Sequence, residues 1–201
     1  MTDQTNMQEW QERFEVIESM MLQGRRTTEY WGWSFVLWGT AYLVATAWSS
    51  FSHMPNVAWP VTMTLAGVAT IVIAKRKTRG RPATILGRAM LAVWTSVGAA
   101  LFVFSFATMW SGHWELHTNM AAIECLLGVA NMAGGIILRW RAQAFVGIFW
   151  WIAAVATCLV PAAQVGWIFL AGTLFGMIGF GLYLMVLESR ARAMAGKVAH
   201  A

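Results

Sequence analysis

Six apolar runs, each about one membrane thickness long, constrain this chain more than any other feature. They fall at about 31–51, 57–74, 89–110, 119–138, 142–160 and 164–187. A helix rises about 1.5 Å per residue, so about 20 residues cross a hydrocarbon core about 30 Å thick. Inside a bilayer every backbone N–H and C=O needs a partner, and a single run supplies its own only as a helix. The runs lack the apolar/polar alternation of a barrel strand. Composition agrees: 11% of the residues are charged, against about 25% in water-soluble domains, too few to cover a water-facing surface.

The basic residues sort by side. The links Ser52–Asn56, Ser111–Thr118 and Pro161–Ala163 contain no Lys or Arg. All 14 basic residues fall before run one, between runs two and three, between four and five, or after six. The positive-inside rule makes that side cytoplasmic. A five- or seven-run count would scatter them. The sequence therefore predicts an all-α integral membrane protein of six transmembrane helices in three antiparallel hairpins. A cytoplasmic amphipathic helix and lead-in occupy residues 1–30, the bundle residues 31–187, and a basic cytoplasmic tail residues 188–201. Pro55, Pro82 and Pro161 sit in links, and Pro60 is expected in the first turn of the second span, where a missing N–H costs little. No cleavable signal sequence is evident in the polar, acidic first 30 residues.

Within residues 7–21, Met7, Trp10, Phe14, Ile17 and Met21 recur at spacings of three and four, with Glu9, Glu12, Glu15 and Glu18 on other faces. This predicts an amphipathic helix of about four turns with a coiled-coil-like seam. Helices that lie on membranes carry Lys and Arg on the polar face; this one is acidic. Two readings follow. One is a contact through Trp10, Phe14, Ile17 and Met21 with a second copy or a cytoplasmic protein. The other is docking on the chain's own basic stretch, Lys75–Arg81. That stretch faces membrane lipid rather than nucleic acid, because it is a short link between two spans.

Glu124 is the clearest candidate for chemistry. It lies about 8 Å into the fourth span, where a charge is costly and tends to face a bundle interior or a water-filled cavity. That makes it a candidate proton-binding group. His117, Ala121, Glu124, Gly128, Asn131 and Gly135 follow a four–three spacing and share one face of small and polar residues. Such a face is either a packing seam with hydrogen bonds across it or the wall of a proton or solute path. On the second reading Glu124 binds the coupling proton, Asn131 contacts the solute and His117 lies on the same path. Gly128 and Gly135, with Gly172 and Gly176 in the sixth span, mark close helix packing. Trp150 and Trp151 sit in mid-span and need partners for their N–H groups.

His53, His113 and His117 all fall on the predicted outer side, His113 and His117 one helical turn apart. With Glu115 or Glu124 as an oxygen ligand they are candidates for a divalent metal site, if they converge. No haem is expected, because no span interior holds a His. Cys125 and Cys158 have no C-x-x-C spacing, and a disulfide between spans four and five would need a short Cα separation. G-x-S-x-G, H-E-x-x-H and Walker patterns are absent. The general plan, a short acidic helix leading into six tight spans, resembles that of many small bacterial inner-membrane proteins, with both termini cytoplasmic. The expected function is non-enzymatic binding, sensing or assembly. The alternatives are a small proton-coupled transporter or channel using Glu124 and Asn131, and an outer-face metal protein using the histidines.

Overall fold

The computed structural model describes residues 10, 13, 14, 16, 31–51, 55–78 and 85–198. Among them there are helices and no strands: α1 (Gly32–Phe51), α2 (Pro55–Thr78), α3 (Ile85–Trp110), α4 (Leu116–Ile137), α5 (Arg141–Leu159) and α6 (Ala162–Gly172). A π-helical segment, Thr173–Gly179, joins α6 to α7 (Phe180–Val198), so that the sixth rod runs without a break. Five helical stretches are long and apolar enough to cross a membrane. The chain is an all-α, multi-pass membrane protein. The helix outside that group of five is α1, whose apolar run is diluted by Trp, Tyr, Gly, Ser and Thr.

Most boundaries move outward from the apolar runs, for local reasons. α4 starts three residues early because Glu115 caps it, accepting from the N–H groups of His117 (3.1 Å) and Thr118 (2.6 Å). A side-chain oxygen at this position satisfies N–H groups that the helix itself leaves free. α2 opens at Pro55, so Pro60 lies inside the helix rather than in its first turn. Part of the expected tail, 188–198, continues α7 as helix.

The tightest pairing lies between two of the expected hairpins, at α4 and α5. Their link is a three-residue turn, Leu138–Trp140. Trp140 N–H donates to the Gly135 carbonyl at 2.7 Å, and Arg139 takes the left-handed conformation (φ 48°). Leu138 and Trp140 are buried and anchor the turn. α6, the π segment and α7 pack against α5 and α1, and α2 and α3 lie on the outside against α1 and α4. Half of the α4 span is buried, against 11% of α3. Lipid tails are as apolar as Leu, so helices in a bilayer meet where small and polar residues permit close approach. α4 has such residues on its inner face; in α3 most of them, Thr95, Gly98 and Ala99 among them, are exposed.

The basic residues of the described helices gather at one end. Lys75, Arg76 and Lys77 close α2, Arg88 opens α3, and Arg139 and Arg141 flank the α4–α5 turn. The Lys77 ammonium, 5.2 Å from the Trp33 ring centre, ties the end of α2 to the start of α1.

Candidate functional site

α4 and α5 carry most of the buried polar residues among those described. Glu124 and Asn131 of α4 are seven apart, and so are Gln143, Trp150 and Thr157 of α5. Residues seven apart on a helix lie almost on one line, about 10 Å from each other. All five are buried, Glu124 with 0% exposure. Several contacts fix the antiparallel register. The His117 Nε2 atom lies 3.0 Å from the Val160 carbonyl. Thr157 lies beside Glu124. Gly147 faces Gly128 and Met132, Gly135 faces Ala144, and Gly134 faces Gln143. The two heptad lines therefore oppose each other as a ladder, with Glu124 and Thr157 at one level, Asn131 and Trp150 at the next, and Gln143 toward the basic end.

The hydrogen-bonding groups of the ladder, and of Thr173 in the π segment, are largely free. Both Glu124 oxygens, Asn131 Oδ1, both amide atoms of Gln143, Trp150 Nε1, Thr157 Oγ1 and Thr173 Oγ1 are buried without a partner. Thr157 approaches Glu124 without reaching hydrogen-bond geometry. Buried polar atoms of this kind cost free energy unless something bonds to them, and each calls for an explanation. Other threonines of the chain behave differently. The hydroxyls of Thr62, Thr64, Thr70 and Thr95 donate to carbonyls one turn back on their own helices, and Thr108 also reaches Asn119. That is the usual resolution for a hydroxyl in a helix. Thr157 and Thr173 have not taken it.

Trp150 sits at the centre, fully buried, with its ring against Gly172 and Gly176. A Cβ at Gly176 would come within 2.7 Å of the indole nitrogen, and one at Gly172 within 2.7 Å of the ring's Cζ3. Both glycines thus make the seat for this ring. Gly176 lies in the π segment and Gly172 immediately before it. π-helical turns interrupt α-helices frequently at functional sites. Gly128 does the same for Trp151, whose ring lies where a Gly128 side chain would be, and whose N–H donates to the Cys125 carbonyl at 3.2 Å.

The face expected from His117 to Gly135 is thus brought together at its Glu124, Gly128, Asn131 and Gly135 positions, all buried. His117 is at the partly exposed end of the same line. Its Nδ1 lies 3.1 Å from Glu115 and its Nε2 on Val160. Among the described residues no three His, Cys, Asp or Glu side chains group to hold an ion. His113 and Glu115 are exposed, and His53 lies outside the described residues. The Glu115 carboxyl is held down to about 2 by hydrogen bonds from Thr118, then from His117. Cys125 and Cys158 are free and exposed, with no disulfide between them. Trp10 and Phe14 are helical and 58% and 66% exposed; Ile17 and Met21 lie outside the described residues.

Sequence reasoning misses Gln143, Thr157 and Thr173. The first two carry a legible signal, the seven-residue spacing through Trp150 that mirrors Glu124–Asn131. Thr173 carries none, because its place depends on the π segment. No family, curated protein or solved structure matches the chain.

Proposed function

We propose that this protein is a small, non-enzymatic carrier of the bacterial inner membrane, with both termini in the cytoplasm, in which Glu124 takes up and releases the coupling proton. One observation carries the reading: a carboxyl group buried within a span, with neither oxygen bonded, on a ladder of other free polar groups. A packing seam needs its polar groups paired across the interface; these are not paired. An unpaired carboxylate at that depth is costly, so a proton, water or polar solute is the natural partner. Asn131, with its amide nitrogen on the Leu127 carbonyl and its oxygen free, and the Trp150 N–H are the groups offered to a solute. The basic residues at one end support the orientation. The short links among the described helices leave the chemistry to the bundle.

The test is made on protein in liposomes carrying an internal pH dye, with difference infrared spectra recorded in parallel. The wild type should show a carboxyl C=O band that titrates, and dissipation of an imposed pH gradient above protein-free vesicles. Glu124→Gln should fold, lose the band and reduce the flux to the vesicle background. Wild-type flux in that variant would end the proposal.

A second reading rests on Trp10 and Phe14, both exposed on a helical segment. The seam they belong to joins two copies of the chain on the cytoplasmic side, by coiled-coil packing.

A further inference from the structure

The lipid-facing side of α5 carries a groove with charge at one end only. Arg141, Phe145, Ile148, Ile152, Val155 and Leu159 follow spacings of four and three, and all are exposed. They form one stripe down the helix. Two shallow hollows run along it and join at Ile148. The first is walled by Arg141, Ala144, Phe145 and Ile148, and the second continues past Trp151 and Ile152 toward Leu159. Gly128 shapes the second hollow, because it lets the Trp151 ring lie across α4.

Charge, length and backbone conformation point to one occupant. Arg139 and Arg141 are both exposed on either side of the buried Trp140. From Arg141 to Ile152 the helix rises roughly 16 Å, about half of a hydrocarbon core about 30 Å thick. That is the reach of one acyl chain in one leaflet. Arg139 occupies a left-handed position (φ 48°) that backbone sterics alone would give to Gly or Asn. An arginine held there against that preference is explained by a use for its charge.

We propose that this groove holds one anionic phospholipid of the leaflet on the arginine-bearing side. Its phosphate is bound between Arg139 and Arg141, and one acyl chain lies over Phe145, Ile148 and Ile152. Basic pockets beside spans bind lipid headgroups by this pairing of charge with an apolar floor. The site is independent of the proton reading, since it lies on the opposite side of α5 from the ladder.

Delipidated protein in a neutral detergent is titrated with dioleoyl phosphatidylglycerol or dioleoyl phosphatidylcholine, and bound lipid is counted by native mass spectrometry. One phosphatidylglycerol per chain should bind in preference to phosphatidylcholine. Affinity should fall about fivefold for each arginine removed, in Arg139→Gln and Arg141→Gln. Lys75→Gln, on α2 away from the groove, should bind as the wild type does. Ile148→Trp fills the groove with both arginines in place and should also lose the lipid, so the outcome does not depend on the arginine variants folding. Equal binding of the two lipids would overturn the proposal. So would an equal loss in Lys75→Gln, wild-type binding in Ile148→Trp, or displacement of the lipid by inorganic phosphate alone.

Discussion

Single residues decide this bundle where two helices nearly touch. Gly128 is such a position, because any side chain there meets the Trp151 ring. Gly128→Ala should lower stability by about 1–3 kcal/mol through overpacking. Gly98→Ala should be neutral or slightly stabilising, since nothing lies within 4 Å of that position and Ala favours helix more than Gly. Thermal unfolding of the two variants in detergent checks this, and equal melting temperatures would remove the close contact. Glu115 gives a second prediction. Its folded-state value of about 2 lies below the ordinary 4.5, so folding favours the ionised form. The cap's contribution is fully present above pH 4.5, declines as the pH falls, and is gone near pH 2. The melting-temperature gap between wild type and Glu115→Gln should therefore close across that window. A gap that stays constant from neutral pH to pH 2 would show that the cap does not hold α4.

At the scale of elements, the interior is decided by how polar lines on neighbouring helices align. The Glu124–Asn131 line is legible in the sequence, as is the small-residue face around it. Its opposite, Gln143–Trp150–Thr157, has the same period, yet Gln143 sits next to basic Arg141 and reads as an interfacial residue. The short Leu138–Trp140 turn brings the two lines face to face, and the close contacts along α4 and α5 fix their register. The π segment lies beyond sequence reading, because its residues are as apolar as any α-helical run. Its role can be tested by removing Leu174, which is exposed. One residue fewer brings the segment toward the α period while the flanking helices keep their packing. Helix content by circular dichroism should be retained, while proton-linked flux should fall at least tenfold as Thr173 and the seat of Trp150 shift. Unchanged flux would separate the π segment from the function.

For the whole molecule, the proposed orientation and assembly make separate predictions. An alkaline phosphatase fusion at Gly112, in the link after α3, should be active, and a fusion after His200 inactive. The reverse pattern would invert the bundle and place the lipid groove's arginines on the other side. Trp10→Ala with Phe14→Ala should halve the mass of the detergent-solubilised particle measured by light scattering, if their seam joins two copies. An unchanged mass would return these side chains to contacts within one chain.

The sequence by itself determined the solvent. Runs of about 20 apolar residues cannot be covered in water, and a bilayer admits them as helices, so the elements and the sorting of basic residues follow from composition and order alone. Only the tertiary structure decided which helices touch and which polar groups go unpaired. Between helices in lipid, every apolar face is nearly as content against a lipid tail as against its neighbour. Pairing is then settled by small differences in close approach, at Gly128 and Trp151, at Gly135 and Ala144, and at Gly172, Gly176 and Trp150. Those differences depend on register and ring orientation, which no local stretch of sequence encodes. The same holds for the histidines, whose convergence depends on the links, and for Thr173, whose free hydroxyl depends on one irregular stretch of helix.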